Sequence, residues 1–254
     1  LLTEAQLLAG DVSLLVVLAG MVVCFAAGVL GGLSGYGAGM LVTVFIAPIV
    51  GPKALVPMIS VLMLINNGSR VWFYRHALDL RTVVRVSVVA LPMAWIGAQL
   101  YVRLDSSIVQ IVLGAVLIAS VPLRRAMAGA RITPGPMAVY GIGALFGFLS
   151  SLIVGAGMLI VPMLMGVGYA GAALLATDAA IAVVVNLFKS IVFGALDALT
   201  LQHTVLALVL GLCTIPGTAA AAWMVRRTSL RVHTALVEGL ILLGGASMLW
   251  AGLV

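Results

Sequence analysis

Gly31 to Met40 reads GGLSGYGAGM, with glycine at five of ten positions inside an otherwise apolar run. A partial echo, SSLIVGAGM, stands at Ser150 to Met158. Glycine costs a helix about 1 kcal/mol relative to alanine and admits unwound or tightly packed backbone. Two such stretches in nearly the same words raise the question of what interrupts the helices there.

Composition sets the surroundings of both stretches. The chain has 254 residues, of which 64% are hydrophobic and 8% charged, and a mean hydropathy of +1.30. A soluble domain carries about 25% charged residues to cover its surface, so this surface is expected to meet lipid. Apolar runs of about 20 residues span a bilayer core of about 30 Å, and several follow one another here. The fold class expected is an all-α polytopic membrane protein. No polar stretch exceeds a short loop, and the residues before Asp11 lack the basic region of a signal peptide. Cys24 and Cys213 both lie in apolar runs and read as buried thiols.

Apolar segments are expected near 12–33, 37–50, 53–74, 81–103 and 107–122, then near 136–153, 155–167, 171–196, 202–225 and 230–253. A short basic loop, RRAMAGARITPGP, divides them. The segments 37–50 and 155–167 have about 13 residues each and cover only about 20 Å, so whether they cross or are re-entrant stays open. Arginine clusters bear on the count: Arg75, Arg81 and Arg85; Arg124, Arg125 and Arg131; Arg226, Arg227 and Arg231. All three face the cytoplasm only if 155–167 crosses, leaving Lys53 and Arg103 outside. The acidic, base-free start (Glu4, Asp11) places both termini outside. The net charge of +6 is read as this topology signal, and no nucleic-acid partner is expected.

The chain also repeats itself. GAGMLVTVFIAP from Gly37 matches GAGMLIVP from Gly155, with the GAGM cores 118 residues apart. LINNGSRVWF from Leu64 aligns with VVNLFKSIVF from Val184, and GAQLYVRLDSS from Gly97 with GTAAAAWMVRRTS from Gly217. An odd number of crossings per copy makes the halves inverted repeats of about five segments each, with a site at the midplane. The division expected is 1–123, a cytoplasmic linker 124–135, and 136–254.

Non-helical backbone at membrane depth persists where it is buried in protein or lines a polar cavity. A short helix starting after such a break presents free N–H groups to an anion. One half of the expected site is Ser34 with the amides around Gly35, Gly37 and Gly39; the other is Ser150 and Ser151 with those around Gly155 and Gly157. A single motif would read as close packing of small residues; two at corresponding places favour the paired break. Ionisable residues inside a bilayer are costly and by default functional. Arg70 and Lys189 supply cations, and Asn66 and Asn186 amide donors at equivalent depth. Asp178 precedes Lys189 by eleven residues and shares a helix face with it, either as a bridged charge pair or as a coupling residue for a proton or cation. Glu238 is read as a partner for a nearby arginine near the cytoplasmic end of its helix. His76, His203 and His233 fall in loops or helix ends without metal-binding company, so no metal or cofactor is expected.

The pattern G-x-x-G-G-x-x-G-x-G-x-G over Gly28–Gly39, followed by Pro48, resembles the sulfite-exporter and sulfonate-uptake permease family (TauE/SafE-like). The resemblance spans the duplication, the length and the basic central loop. Ala38 and Ala156 replace the middle of the family's three glycines, and Ser150, Ser151 and Val154 stand where glycines are commoner. It implies a bacterial inner-membrane secondary transporter of a small anion such as sulfite, a sulfonate or sulfoacetate. The partners expected are that anion and the bilayer, with a coupling proton or cation and a homodimer left open. Two rivals remain. One is an anion channel. The other is an intramembrane serine protease using Ser34 in GLSG, which needs a base within reach although no histidine lies in an apolar segment. No G-x-x-x-x-G-K-[ST] loop for ATP is present.

Overall fold

The computed structural model describes residues 14–35, 37–129 and 135–224, with isolated positions at 242, 246, 249, 250, 252 and 253. The expected last segment, its arginines, His233, Glu238 and the acidic start therefore lie outside the described residues, apart from those positions. Among the described residues the chain is helical without strands: α1 (Leu14–Ser34), α2 (Ala38–Val50), α3 (Pro52–Tyr74), α4 (Leu80–Arg103), α5 (Ser106–Gly129), α6 (Pro136–Leu152), α7 (Ile160–Gly166), α8 (Gly171–Ala195) and α9 (Leu201–Met224). Short 3-10 turns occupy Arg75–Ala77 and Ala156–Leu159. Four stretches are long and apolar enough to cross a membrane: Pro52–Ala77, Leu80–Arg103, Gly171–Ala195 and Leu201–Met224.

Local chemistry sets most of these boundaries. Pro52 and Pro136 begin α3 and α6, where a missing N–H costs nothing. Asp79 caps α4 by accepting from the amides of Arg81 and Thr82. It lies outside the spanning segments, and the Tyr169 hydroxyl beside it holds its carboxyl below the usual carboxylate range. Two expectations need correction. The central loop does not begin at Arg124, because α5 continues to Gly129; Arg124–Ala128 are good helix formers and glycine is the first poor one. The segment 155–167 is not one short helix but a 3-10 turn followed by seven-residue α7. Pro162 has no N–H and its ring opposes the carbonyl four residues back, which disfavours α-helix across that turn.

The most extensive helix contacts are α4 with α6, α1 with α9, and α3 with α8. Contacts rise together along α1 and α9, with Gly20 facing Leu210, Gly28 facing Thr214 and Gly32 facing Ala221. They rise together along α4 and α6 as well: Val86 meets Gly143, Ala90 meets Gly147, and the Ser151 hydroxyl donates to the Ala94 carbonyl. Each pair is thus parallel. Asp79 meets Thr177 and Tyr101 stacks edge-on against Phe193, so α4 and α8 also run together. The Tyr101 hydroxyl reaches the Pro52 carbonyl, which turns α3 the opposite way. The outer surface is apolar, with Val22, Val88, Leu187 and Leu212 exposed, as lipid requires. Trp72 is exposed and carries the Arg75 guanidinium over its ring, a membrane-interface arrangement.

Close approach explains part of the glycine content. A Cβ on Gly147 would overlap the Ala90 carbonyl oxygen, and one on Gly28 the Thr214 carbonyl. Gly147→Ala should therefore lower stability by about 1–3 kcal/mol, as overpacking against rigid backbone does. Gly141→Ala, one face away on the same helix with nothing within 4 Å, should be neutral or stabilising in the same thermal-unfolding assay in detergent.

Candidate functional site

The two glycine stretches come together. A cavity of about 100 Å³ lies between them, lined by Gly35, Gly37 and Gly39 from the first and by Ser150, Gly155 and Gly157 from the second. Asn66, Arg70, Asp178, Asn186 and Lys189 complete its polar wall. That volume holds several waters or one small polyatomic anion. At its rim Gly37 (φ 95°) precedes α2 and Gly155 (φ 97°) precedes the 3-10 turn. Both occupy the left-handed region that a side chain strains, so GAGM makes the same turn twice. No side chain caps either start, and the first amides of α2 have no partner within the helix.

Arg70, 2% exposed, makes four hydrogen bonds. Its Nη1 donates to the Gly35 carbonyl at 2.9 Å and to Asn67 Oδ1 at 2.9 Å. Nη2 donates to the Leu175 carbonyl at 3.2 Å and to Asp178 Oδ2 at 2.8 Å. Only Nε is without a partner. The carbonyl of Gly35 follows the end of α1, so one guanidinium ties the first break to both α3 and α8. Asp178 is thus paired with Arg70 and not with Lys189 on its own helix. Eleven residues along a helix amount to about 16 Å, too far for direct contact.

Lys189, 5% exposed, donates from Nζ to the Ser150 carbonyl at 2.6 Å. No carboxylate lies within ion-pair distance of it among the described residues. It serves the end of α6 as Arg70 serves the end of α1. Asn66 accepts from the Thr218 hydroxyl of α9 at 3.4 Å and donates weakly to the Met63 sulfur at 3.8 Å, which leaves one amide N–H as a donor.

Ser151 is separated from the rest of the expected set. It is fully buried with its hydroxyl committed to the Ala94 carbonyl, facing α4 and not the cavity. The Ser34 side chain lies outside the described residues. Asn67 lines the cavity and Thr218 bonds Asn66 from behind it, neither having been expected. Asn67 carries a legible signal, a second amide three residues before Arg70 on one helix face; Thr218, a small hydroxyl in a run of Ala and Gly, carries none. Both cysteines are free thiols, and no group of His, Cys, Asp and Glu fit for a metal occurs among the described residues.

A buried pair is destabilised by about 3–5 kcal/mol when one partner is removed, and much less when both give way to apolar groups. Arg70→Met should therefore unfold more readily than Arg70→Met with Asp178→Leu. Equal melting temperatures for the single and double variants would remove the ion pair from this account.

No curated protein and no solved structure matches the chain. A family model described as "Sulfite exporter TauE/SafE" matches residues 20–248, spanning both glycine stretches and every residue of the cavity wall. With its long apolar helices and lipid-facing surface, the protein is a multi-pass membrane protein, and it belongs to the TauE/SafE sulfite exporter family.

Proposed function

We propose that the protein is a secondary transporter moving a small sulfur-containing or organic anion across the bacterial inner membrane by alternating access. The observation that carries this reading is Lys189, a buried cation facing a small polar cavity with no carboxylate partner among the described residues. Ionisable residues at membrane depth mark substrate pathways, and an anion supplies the charge that Lys189 lacks. Donors converge on the same space: Asn66, Asn186 and the first amides of α2.

In this reading residues 1–123 and 136–254 are inverted repeats, and the cavity lies between them. The helix directions support it. The first half contributes α1 and α3 pointing one way and α4 the other; the second contributes α6 and α8 along α4, and α9 along α1. Both termini then lie outside. Asp178, held by Arg70, is the candidate coupling residue for a proton or cation. Family membership favours transport over the serine-protease reading of GLSG, and a repeated break has no role in that rival.

Binding and flux test the proposal. A charge-assisted hydrogen bond is worth about 1.5–3 kcal/mol, so Lys189→Met should weaken anion binding by roughly 10- to 100-fold. Lys53→Ala, at the start of α3 and away from the cavity, should leave affinity unchanged in the same calorimetric titration. In proteoliposomes, flux should saturate with substrate and show counterflow; ohmic single-channel current would overturn the carrier reading.

A further inference from the structure

We propose that the cavity selects singly charged oxyanions over doubly charged ones, because Asp178 withholds Arg70 from the substrate and leaves Lys189 as its sole counter-charge among the described residues. This rests on the anion-carrier reading above. Among the described residues, two cations and one carboxylate line the cavity. The two terminal nitrogens of Arg70 hold four hydrogens between them, and four acceptors take them: Gly35 O, Asn67 Oδ1, Leu175 O and Asp178 Oδ2. Arg70 therefore belongs to the wall, with Nε–H as its one free donor. Lys189 is committed only to the Ser150 carbonyl, and an ammonium has three donors.

The two halves differ here. Counting back 120 residues from Asp178, by the spacing that aligns Val184 with Leu64, leads to Met58, a buried apolar residue that carries no charge. Thus the pair of cations, one per half, shares a single carboxylate, and that carboxylate reaches across to the first half's arginine. One positive charge remains, on Lys189. A monoanion brings the buried site to neutrality; a dianion leaves an uncompensated negative charge among Asn66, Asn67, Asn186 and Ser150, which is costly at low dielectric. Other charged or titratable groups near Asp178 do not alter this count. On α3, Tyr74 is neutral and its hydroxyl is held by the Gly32 carbonyl; Arg75, His76, Arg81 and Arg85 are exposed around the turn into α4; Asp79 is committed to capping α4 and to Tyr169.

The test pairs anions of similar shape and different charge: methanesulfonate against sulfate, and lactate against malonate, titrated into the purified full-length protein at neutral pH. The monoanion of a pair should bind at least tenfold tighter. Equal or tighter binding of the dianion overturns the charge selectivity while leaving the carrier reading intact; no binding in either pair overturns the anion reading itself. Asp178→Asn removes the carboxylate charge and should shift the preference toward sulfate by tenfold or more, an effect that loss of stability alone does not produce. An unchanged preference in a folded Asp178→Asn protein overturns the proposal, and the wild-type pairs decide it should that variant not fold.

Discussion

A helix that stops inside a bilayer leaves carbonyl groups without amide partners, and lipid offers none. Both interruptions of this chain meet that constraint in the same way. Past the end of α1 the Gly35 carbonyl is held by Arg70, and near the end of α6 the Ser150 carbonyl is held by Lys189. Each cation comes from a long helix, Arg70 from α3 and Lys189 from α8. Buried cations at membrane depth therefore have a structural role before any ligand is considered. The geometry then differs in one respect that matters for chemistry: Arg70 is paired with Asp178, and Lys189 stands beside the cavity with no carboxylate partner among the described residues.

The surrounding fold follows from keeping these elements together. The α3 and α8 helices, which carry the two cations, form one of the closest helix pairs. Parallel partners flank them, α1 with α9 and α4 with α6, packed through glycines that bring backbone against backbone. The glycine-rich stretch thus serves two ends at once. Gly28 and Gly32 pack α1 on α9, Gly37 turns the chain, and Gly39 opens onto the cavity. Small-residue packing and a backbone break are competing explanations of one motif, and different glycines of that motif satisfy each.

Much of this was legible in the sequence because it is local. Helix ends marked by Pro52, Pro136 and the glycine pairs fall within a residue or two of the apolar boundaries. Asn66, Arg70, Asn186 and Lys189 stand out as polar groups within long apolar runs, and all line one cavity. What escaped is non-local or directional. The partner of Asp178 is Arg70, 108 residues away on another helix, and helical periodicity proposed Lys189 instead. Ser150 and Ser151 are neighbours in sequence, yet successive residues point about 100° apart on a helix, so one lines the cavity and the other staples α6 to α4. The shortness of α7 was hidden because apolarity is blind to whether a run is α or 3-10, and the proline at 162 is the only local hint.

The central claim is that an anion sits on Lys189 while the Arg70–Asp178 pair stays closed. Anomalous diffraction from crystals grown with bromomethanesulfonate tests it directly, since bromine marks the ligand. The account predicts a bromine peak inside the cavity, with a sulfonate oxygen about 3 Å from Lys189 Nζ and the ion pair to Asp178 unbroken. A sulfonate bound instead by the Arg70 terminal nitrogens with Asp178 displaced, or a peak only outside the cavity, would contradict it.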